Sequence, residues 1–472
     1  MDILTTFEIL GSLSAAGITY MTADSFGFGA KYWTLRDPED RRSFRDAAYI
    51  RRTWRRLARH LQLALKDDIP TFAQSFQKKP EVKIRTPKLL AIRSDAYGLF
   101  VDFKPLPRIG EEEFAKQAQH LANYWGMVRV GVEQIDPRRI RVRAVRRDPL
   151  RIKRSLARPT RVARDLTSVP FALDDYGRTV RLVLESATGV GIYGAPRWGK
   201  TSLMLGILTA LMGNEEVQFI LADGKVSTGF EGDYYDFGHR CLSVIGDSIA
   251  DYNALIKDVV KLREMRQRVI RQELGVPNFW MHGPSRKWPL IIVVIDEAHS
   301  YFKQIKPDGG NKALQAQNAM AAENAWLTED AVKKCGSVGI FFMIATQKPT
   351  VDAIPSAIRD NLTHRICLGV ATDAVATAAL TEEIKDYPEF SPLQFYRNEF
   401  RGCGVSKNED RPGFARWRAP YCGPRLVATA AQITKELVST DGMGVSLSIG
   451  TDHRKALPDT PTELLSLEKP ET

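Results

Sequence analysis

The chain has 472 residues, 44% of them hydrophobic and 26% charged, with a formal net charge of +11. This is the mix of a soluble globular protein long enough for two or three domains. The positive balance favours nucleic acid or an anionic membrane surface as partner, or is the bulk charge of a basic protein that binds neither. The five cysteines (Cys241, Cys335, Cys367, Cys403 and Cys422) show no C-x-x-C spacing, which excludes a disulfide framework and a zinc site and suits a reducing compartment.

Residues 1–66 are expected to hold two helices. The first, within residues 1–22, is apolar, but Glu8 interrupts it and Asp2 precedes it, so it reads as a buried or interfacial helix in preference to a membrane span. No basic stretch precedes it, against a signal peptide. From Arg41 to Lys66, Ile50, Trp54, Leu57, Leu61 and Leu65 recur at helical spacing among Arg41, Arg42, Arg45, Arg51, Arg52, Arg55, Arg56 and Arg59. This basic amphipathic helix either docks on lipid or DNA phosphates or packs on its own domain with a solvated arginine face.

A small α/β domain is expected over residues 83–150. Its strands are Leu89–Ile92, Leu99–Phe103, Val128–Val132 and Ile140–Val145, with a helix presenting Phe114, Ala118, Leu121, Ala122 and Trp125. A basic linker follows over 151–168. The stretch Arg138–Arg164, with Arg139, Arg141, Arg143, Arg146, Arg147, Arg151, Lys153, Arg154, Arg158 and Arg161 between its ends, has almost no acid; it is either a phosphate contact or a solvated linker.

Residues 169–423 alternate strands and helices, the pattern of a parallel sheet covered on both faces. Strands are expected at Gly189–Tyr193, Val217–Ala222, Leu290–Ile295, Val338–Ala345 and Arg365–Val370. Residues 424–472 read as a C-terminal helix and a disordered tail beyond Ser439.

The first of these strands runs into Gly194-Ala195-Pro196-Arg197-Trp198-Gly199-Lys200-Thr201-Ser202, a complete G-x-x-x-x-G-K-T phosphate-binding loop. Its glycines let the backbone aim successive N–H groups at a phosphate, and the helix from Thr201 to Leu211 adds its positive end. Lys200 is expected to reach the β- and γ-phosphates of ATP and Thr201 to hold Mg²⁺. The strand Leu290–Ile295 ends in Asp296-Glu297, a Walker B arrangement. Asp296 is assigned to the Mg²⁺ shell and Glu297 to the attacking water.

The letters Asp296-Glu297-Ala298-His299 also match the box of a helicase class whose remaining motifs and second lobe are missing, so His299 reads as an ordinary polar residue. A third apolar strand ends in Thr346-Gln347, and Gln347 at its tip is a candidate γ-phosphate sensor. The order of these elements points to an additional-strand, RecA-like P-loop ATPase of the α/β class.

Several ordered motifs resemble the FtsK/SpoIIIE family of DNA-pumping ATPases, including the Tra translocases of actinobacterial conjugative plasmids. They are Asp174-Asp175-Tyr176-Gly177, the phosphate loop, Leu221-Ala222-Asp223-Gly224-Lys225, Val293–Glu297, Ala345–Asp352 and Ala357–Ile366. The resemblance implies a ring, a hexamer by family expectation, with ATP at subunit interfaces and double-stranded DNA in the pore. It also implies an arginine acting in trans, for which Arg359 and Arg365 are the candidates.

Lys348 stands where the family has arginine, and the segment from Tyr301 to Leu327, rich in Gln, Asn and Ala, is longer than expected, an inserted pore or interface element. No four-span region or confident winged helix is legible, which favours conjugative transfer of a plasmid or integrated element over a chromosomal role. The alternative is a type VII-like protein-secretion motor. A cytoplasmic location is expected, peripheral at the inner face of the cell membrane, directly or through a membrane-protein partner, if residues 1–66 associate with lipid.

Overall fold

A computed structural model describes residues 37–67, 83–157, 165–229, 231–305, 311–347, 353–409 and 413–440. The apolar segment 1–22, residues 348–352 of the Ala345–Asp352 motif, and the tail after Thr440 lie outside the described residues. The described residues fall into two compact units: those within 37–152 together with 173–178, and those within 153–172 and 179–440.

In the smaller unit a helix spans Pro38–His60. Asp37 caps it by accepting the Glu39 N–H at 2.8 Å, proline occupies its first turn, acids follow, and Arg59 and His60 stand in the last turn at the negative end, all as the helix dipole favours. Phe44, Ala47, Ile50, Trp54, Leu57 and Ala58 are buried in a common core with the small sheet, so the apolar stripe is packed within its own unit. Residues Arg42, Arg45, Arg51, Arg52, Arg55, Arg56 and Arg59 remain exposed.

The strands of this unit are β1 (Leu65–Asp67), β2 (Lys83–Arg85), β3 (Lys88–Asp95), β4 (Gly98–Lys104), β5 (Arg129–Asp136) and β6 (Arg139–Val145). β1 and β2 form an antiparallel pair; the others form an antiparallel sheet in the order β3-β4-β6-β5. The expected single helix is two, Glu111–Lys116 and Ala118–Trp125, and Phe114, Leu121, Ala122 and Trp125 all reach the core.

The two-residue period of β6 explains a correction to the basic-segment reading. Ile140, Val142 and Ala144 face the core opposite Phe103, Val101 and Leu99 of β4. Arg139, Arg141 and Arg143 therefore share the other face, where carboxylates meet them. Arg141 Nε donates to Asp102 Oδ1 at 2.8 Å, Arg93 Nη2 to Asp102 Oδ2 at 2.7 Å, and Arg139 Nε to Asp136 at 3.0 Å. Arg143 is buried, donates to both Asp95 oxygens at 2.8 and 2.9 Å, and lies 4.1 Å over the Phe100 ring. Buried Arg146 binds Asp46 and Glu39, each at 2.8 Å. These arginines are internal ion-pair partners and do not form a phosphate-facing stripe. Arg138, Arg147, Arg151 and Lys153 are exposed, while residues 158–164 lie outside the description.

The Asp174–Gly177 motif is a turn. Asp174 Oδ1 accepts the N–H groups of Tyr176 at 2.9 Å and Arg178 at 2.6 Å, and Gly177 takes φ +78°, where an added Cβ would stand 2.5 Å from the Tyr97 ring. Burial pushes the Asp174 carboxyl up to about 6 from 3.8, aided by Asp175 and opposed by these N–H groups. The folded chain thus binds this proton more tightly than the unfolded chain, and stability falls as pH rises from about 4 to about 6, then stays level. Asp174→Asn keeps the acceptor oxygen without the buried charge. It is expected to be the more stable protein at pH 7, by on the order of 1 kcal/mol, and indistinguishable below pH 4. Urea unfolding at the two pH values measures this.

The larger unit contains β7 (Ser168–Asp174, whose last two residues fall to the smaller unit), β8 (Thr179–Val183), β9 (Gly189–Tyr193), β10 (Val217–Asp223), β11 (Cys241–Ile245), β12 (Leu290–Asp296), β13 (Ile340–Thr346), β14 (His364–Leu368), β15 (Cys403–Lys407) and β16 (Phe414–Arg418). They form one ten-stranded sheet in the order β11-β10-β12-β13-β9-β14-β15-β16-β7-β8. Pairing is parallel from β11 to β14 and antiparallel from β14 through β16, so the expected parallel sheet carries an antiparallel extension. The central strands β9, β10, β12 and β13 are buried at every position, which is why they read as unbroken apolar runs.

β13 begins at Ile340, two residues later than expected, because Gly336–Val338 is a 3₁₀ turn closed by Gly339 at φ +72°. The Gln, Asn and Ala segment is helical from Lys312 to Cys335 and lies against the helix Ile249–Leu274. Asn253 donates to Asn324 at 2.8 Å, and the hydroxyls of Tyr252 and Thr328 are 2.9 Å apart. Among the described residues no helix is long and apolar enough to cross a membrane.

Candidate nucleotide site

β9 lies between β13 and β14, and the phosphate loop leaves its C-terminal end. Gly194 must be glycine, since a Cβ there would come within 2.9 Å of the Leu368 side chain. Gly199 at φ +97° starts the helix Lys200–Leu211 and has no side chain to cap it, so its first N–H groups suit a phosphate. Arg197 also takes a positive φ, +68°. Ala195 N–H donates to Gly369 O at 3.2 Å and Trp198 N–H to Ala195 O at 3.3 Å. Exposed Pro196 and Arg197 form the apex.

Trp198 pins this loop from outside. Its indole N–H donates to Phe395 O at 2.8 Å, its ring stacks on Tyr396 with centroids 4.5 Å apart, and the Arg401 guanidinium lies 5.8 Å from its centroid. Ser202, expected at the nucleotide, commits its hydroxyl to the Cys422 N–H at 2.9 Å, which leaves its backbone as its contribution to the site. Thr201, half-buried, opens the first turn.

β13 sits between β9 and β12, the additional-strand order, and this brings the two acids to the loop. Lys200 is 5% exposed, and its Nζ stands 3.4 Å from both Asp296 Oδ1 and Glu297 Oε2. Asp296 Oδ2 accepts from Lys225 Nζ at 2.6 Å and from Tyr234 OH at 3.1 Å, while Oδ1 accepts the Glu297 N–H at 2.8 Å. Burial opposes charge on Asp296, but Lys200 and Lys225 outweigh it and hold the carboxyl below its usual value. For Tyr234, burial and then Asp296 push the phenol well above its ordinary range, so it stays a donor.

Glu297 is 5% exposed and has φ +52°, a conformation that non-glycine residues seldom adopt. Its Oε1 meets His299 Nδ1 at 2.8 Å and the Gln347 N–H at 3.5 Å. His299, read from sequence as an ordinary polar residue, is thus a direct partner of Glu297. Lys225 and Tyr234 were likewise missed as partners of Asp296. The Asp-x-Lys letters hinted at Lys225, whereas nothing local marks Tyr234, 62 residues from Asp296 in the chain.

Arg359 and Arg365 lie elsewhere. Arg365 on β14 pairs opposite Gly191, on the side of β9 away from β12 and β13. It donates to Arg359 O at 2.9 Å and Asp360 at 2.7 Å, and buried Arg359 donates to Ala378 O at 2.9 Å. Within one chain the structure does not bring either to Lys200 and the acids.

One hydroxyl, Thr201, and one carboxylate, Asp296, beside a phosphate cradle form the hard-oxygen donor set that suits Mg²⁺, which keeps several waters and few protein ligands.

The model of the ATPase family associated with various cellular activities (AAA) matches residues 190–370, which span β9 to the end of β14. Similar curated proteins are the DNA translocase FtsK of Haemophilus influenzae, 24% identical over 241 residues covering 45% of this chain and 41% of that one, and the DNA translocase FtsK of Pasteurella multocida, 23% identical over 45% and 23%. A third, DNA translocase FtsK 1 of Neisseria meningitidis, is 28% identical over 33% and 19%. The chain thus spans 41% or less of the length of these relatives.

Similar solved structures include the pCW3 conjugation coupling protein TcpA monomer with ATPγS, 17% identical, covering 73% of this chain and 93% of that one with a TM-score of 0.48. The cytoplasmic domain of the Thermomonospora curvata type VII secretion ATPase EccC is 20% identical over 61% and 33%, with a TM-score of 0.42. At these scores neither likeness discriminates between DNA and protein as cargo. The chain carries an AAA-type P-loop ATPase domain and is a relative of the FtsK DNA translocases.

Proposed function

We propose that this chain is an ATP-driven motor that moves double-stranded DNA, working as a homo-oligomeric ring, a hexamer by family expectation, in transfer of a conjugative plasmid or integrated element. The observation that carries the ATPase reading is the junction of Lys200, Asp296 and Glu297 at the C-terminal edge of a parallel sheet, beside an uncapped helix N-terminus. DNA as cargo is supported by the relatives, each named a DNA translocase. The exposed arginines of the Pro38–His60 helix supply a surface for phosphate backbone or for anionic lipid at the inner face of the cell membrane.

In this reading the loop 194–202 holds the phosphates through its N–H groups other than those of Ala195 and Trp198, which bond to Gly369 O and Ala195 O, Pro196 having none, and Lys200 leaves the acids to bind the β- and γ-phosphate oxygens. Thr201 and Asp296 would hold Mg²⁺, which when bound neutralises charge on those oxygens. Glu297, freed from Lys200, takes a proton from the attacking water, and Gln347 senses the γ-phosphate. Arg359 or Arg365 of a neighbouring subunit stabilises the charge that develops.

The test is displacement of a third strand from a linear duplex, with ATP turnover measured alongside. Long duplex is expected to stimulate turnover and ATP to drive displacement. Stimulation only by a secreted peptide would assign the motor to protein export instead, and no turnover under either condition would reject the ATPase reading.

A further inference from the structure

We infer that His299 is a positioning residue for Glu297, holding one carboxylate oxygen so that the other faces the attacking water once Lys200 has moved to the phosphates. The inference rests on the proposed ATP hydrolysis and adds to it a residue that the motif itself does not require.

The Glu297 carboxylate has two sets of partners, one on each oxygen. Oε2 faces Lys200 Nζ at 3.4 Å; Oε1 faces His299 Nδ1 at 2.8 Å, with the Gln347 N–H at 3.5 Å. They differ in fate. Lys200 is mobile in function, because the phosphate loop places its ammonium where a nucleotide's phosphates compete for it. His299 sits in the helix His299–Phe302, directly after the strained turn, and neighbours Ser300, whose hydroxyl donates to Gly224 O at 2.8 Å. Ala298 N–H, between the two residues, donates to Ala345 O at 3.0 Å and ties the turn to β13.

A carboxylate held at one oxygen can rotate only about that contact, so the vacated Oε2 keeps a defined direction. An unheld side chain would spread over rotamers, and small misplacements of a reacting group are costly in rate. The contact acts on orientation, not on nucleotide binding, and it needs a donor at the Nδ1 position, not a full imidazole. Asparagine supplies a side-chain N–H near that place; alanine supplies none. His299 is itself exposed enough that neither replacement should disturb the core.

The experiment measures steady-state ATP turnover with saturating duplex DNA and the Kd of a fluorescent ATP analogue for wild type, His299→Ala, His299→Asn, Glu297→Gln and the double variant Glu297→Gln/His299→Ala. His299→Ala is expected to lower kcat by about ten- to a hundredfold with Kd within twofold of wild type. His299→Asn is expected to recover most of the loss, and the double variant to be no slower than Glu297→Gln alone. Unchanged kcat in His299→Ala overturns the inference, as does equal loss in the Ala and Asn variants, or a loss matched by weaker nucleotide binding. If wild type itself shows no turnover, it is the ATPase reading that fails.

Discussion

Glu297→Gln is expected to lower ATP turnover by about 10²- to 10⁴-fold while nucleotide affinity stays within a fewfold of wild type, the signature of a lost general base. Glutamine has the volume of glutamate, so the turn at φ +52° keeps its shape, and the amide oxygen can still accept from His299. What disappears is the proton acceptor, together with the attraction for Lys200 across 3.4 Å. Losing that attraction frees Lys200 for phosphate, so ATP binding should hold or tighten. Single-turnover hydrolysis and equilibrium binding of a fluorescent ATP analogue separate the two effects. A fall in turnover of less than tenfold, or a parallel rise in Kd, would remove Glu297 from the role of base.

Trp54→Ala is expected to cost about 3–5 kcal/mol and to melt the smaller unit near ambient temperature, because a large buried side chain cannot be replaced by collapse of its surroundings. Its ring centroid lies 4.2 Å from that of Phe103, 5.8 Å from Phe114 and 6.5 Å from Trp125, and its indole N–H donates to Pro87 O at 2.7 Å. Removal therefore opens a cavity and strands a buried carbonyl. Calorimetry is the suitable measurement, since a chain with two compact units need not unfold in one step. ATP binding should survive, because Lys200, Asp296 and Glu297 all belong to the other unit. An unshifted thermogram would show that Trp54 is not at the centre of that core.

The elements legible in advance were those whose signal is local. β9 was bounded correctly because its apolar run abuts the glycine of a phosphate loop; β12 and β13 stood out because burial on both faces leaves no polar position to break the run. The antiparallel strands β15 and β16 were missed. Cys403–Lys407 and Phe414–Arg418 are five residues each and carry polar positions, and only the pairing of β15 with β14 and of β16 with β15 makes them part of the sheet. The arginines of β6 were misread for a related reason. Charge density along a sequence does not reveal that Asp95 and Asp102, some forty residues earlier, will lie on the same face.

The sequence by itself determined the chemistry available to the site: the glycines, Lys200, Thr201 and the two acids follow from backbone geometry and ligand type at fixed short spacing. Only the tertiary structure decided who holds those groups. Lys225 and Tyr234 on Asp296, His299 on Glu297 and the Trp198–Tyr396 stack arise where separate strands and loops end together at one sheet edge. A carboxylate's partners are chosen by distance in space, and distance in space is set by strand order, which no local pattern in the chain records.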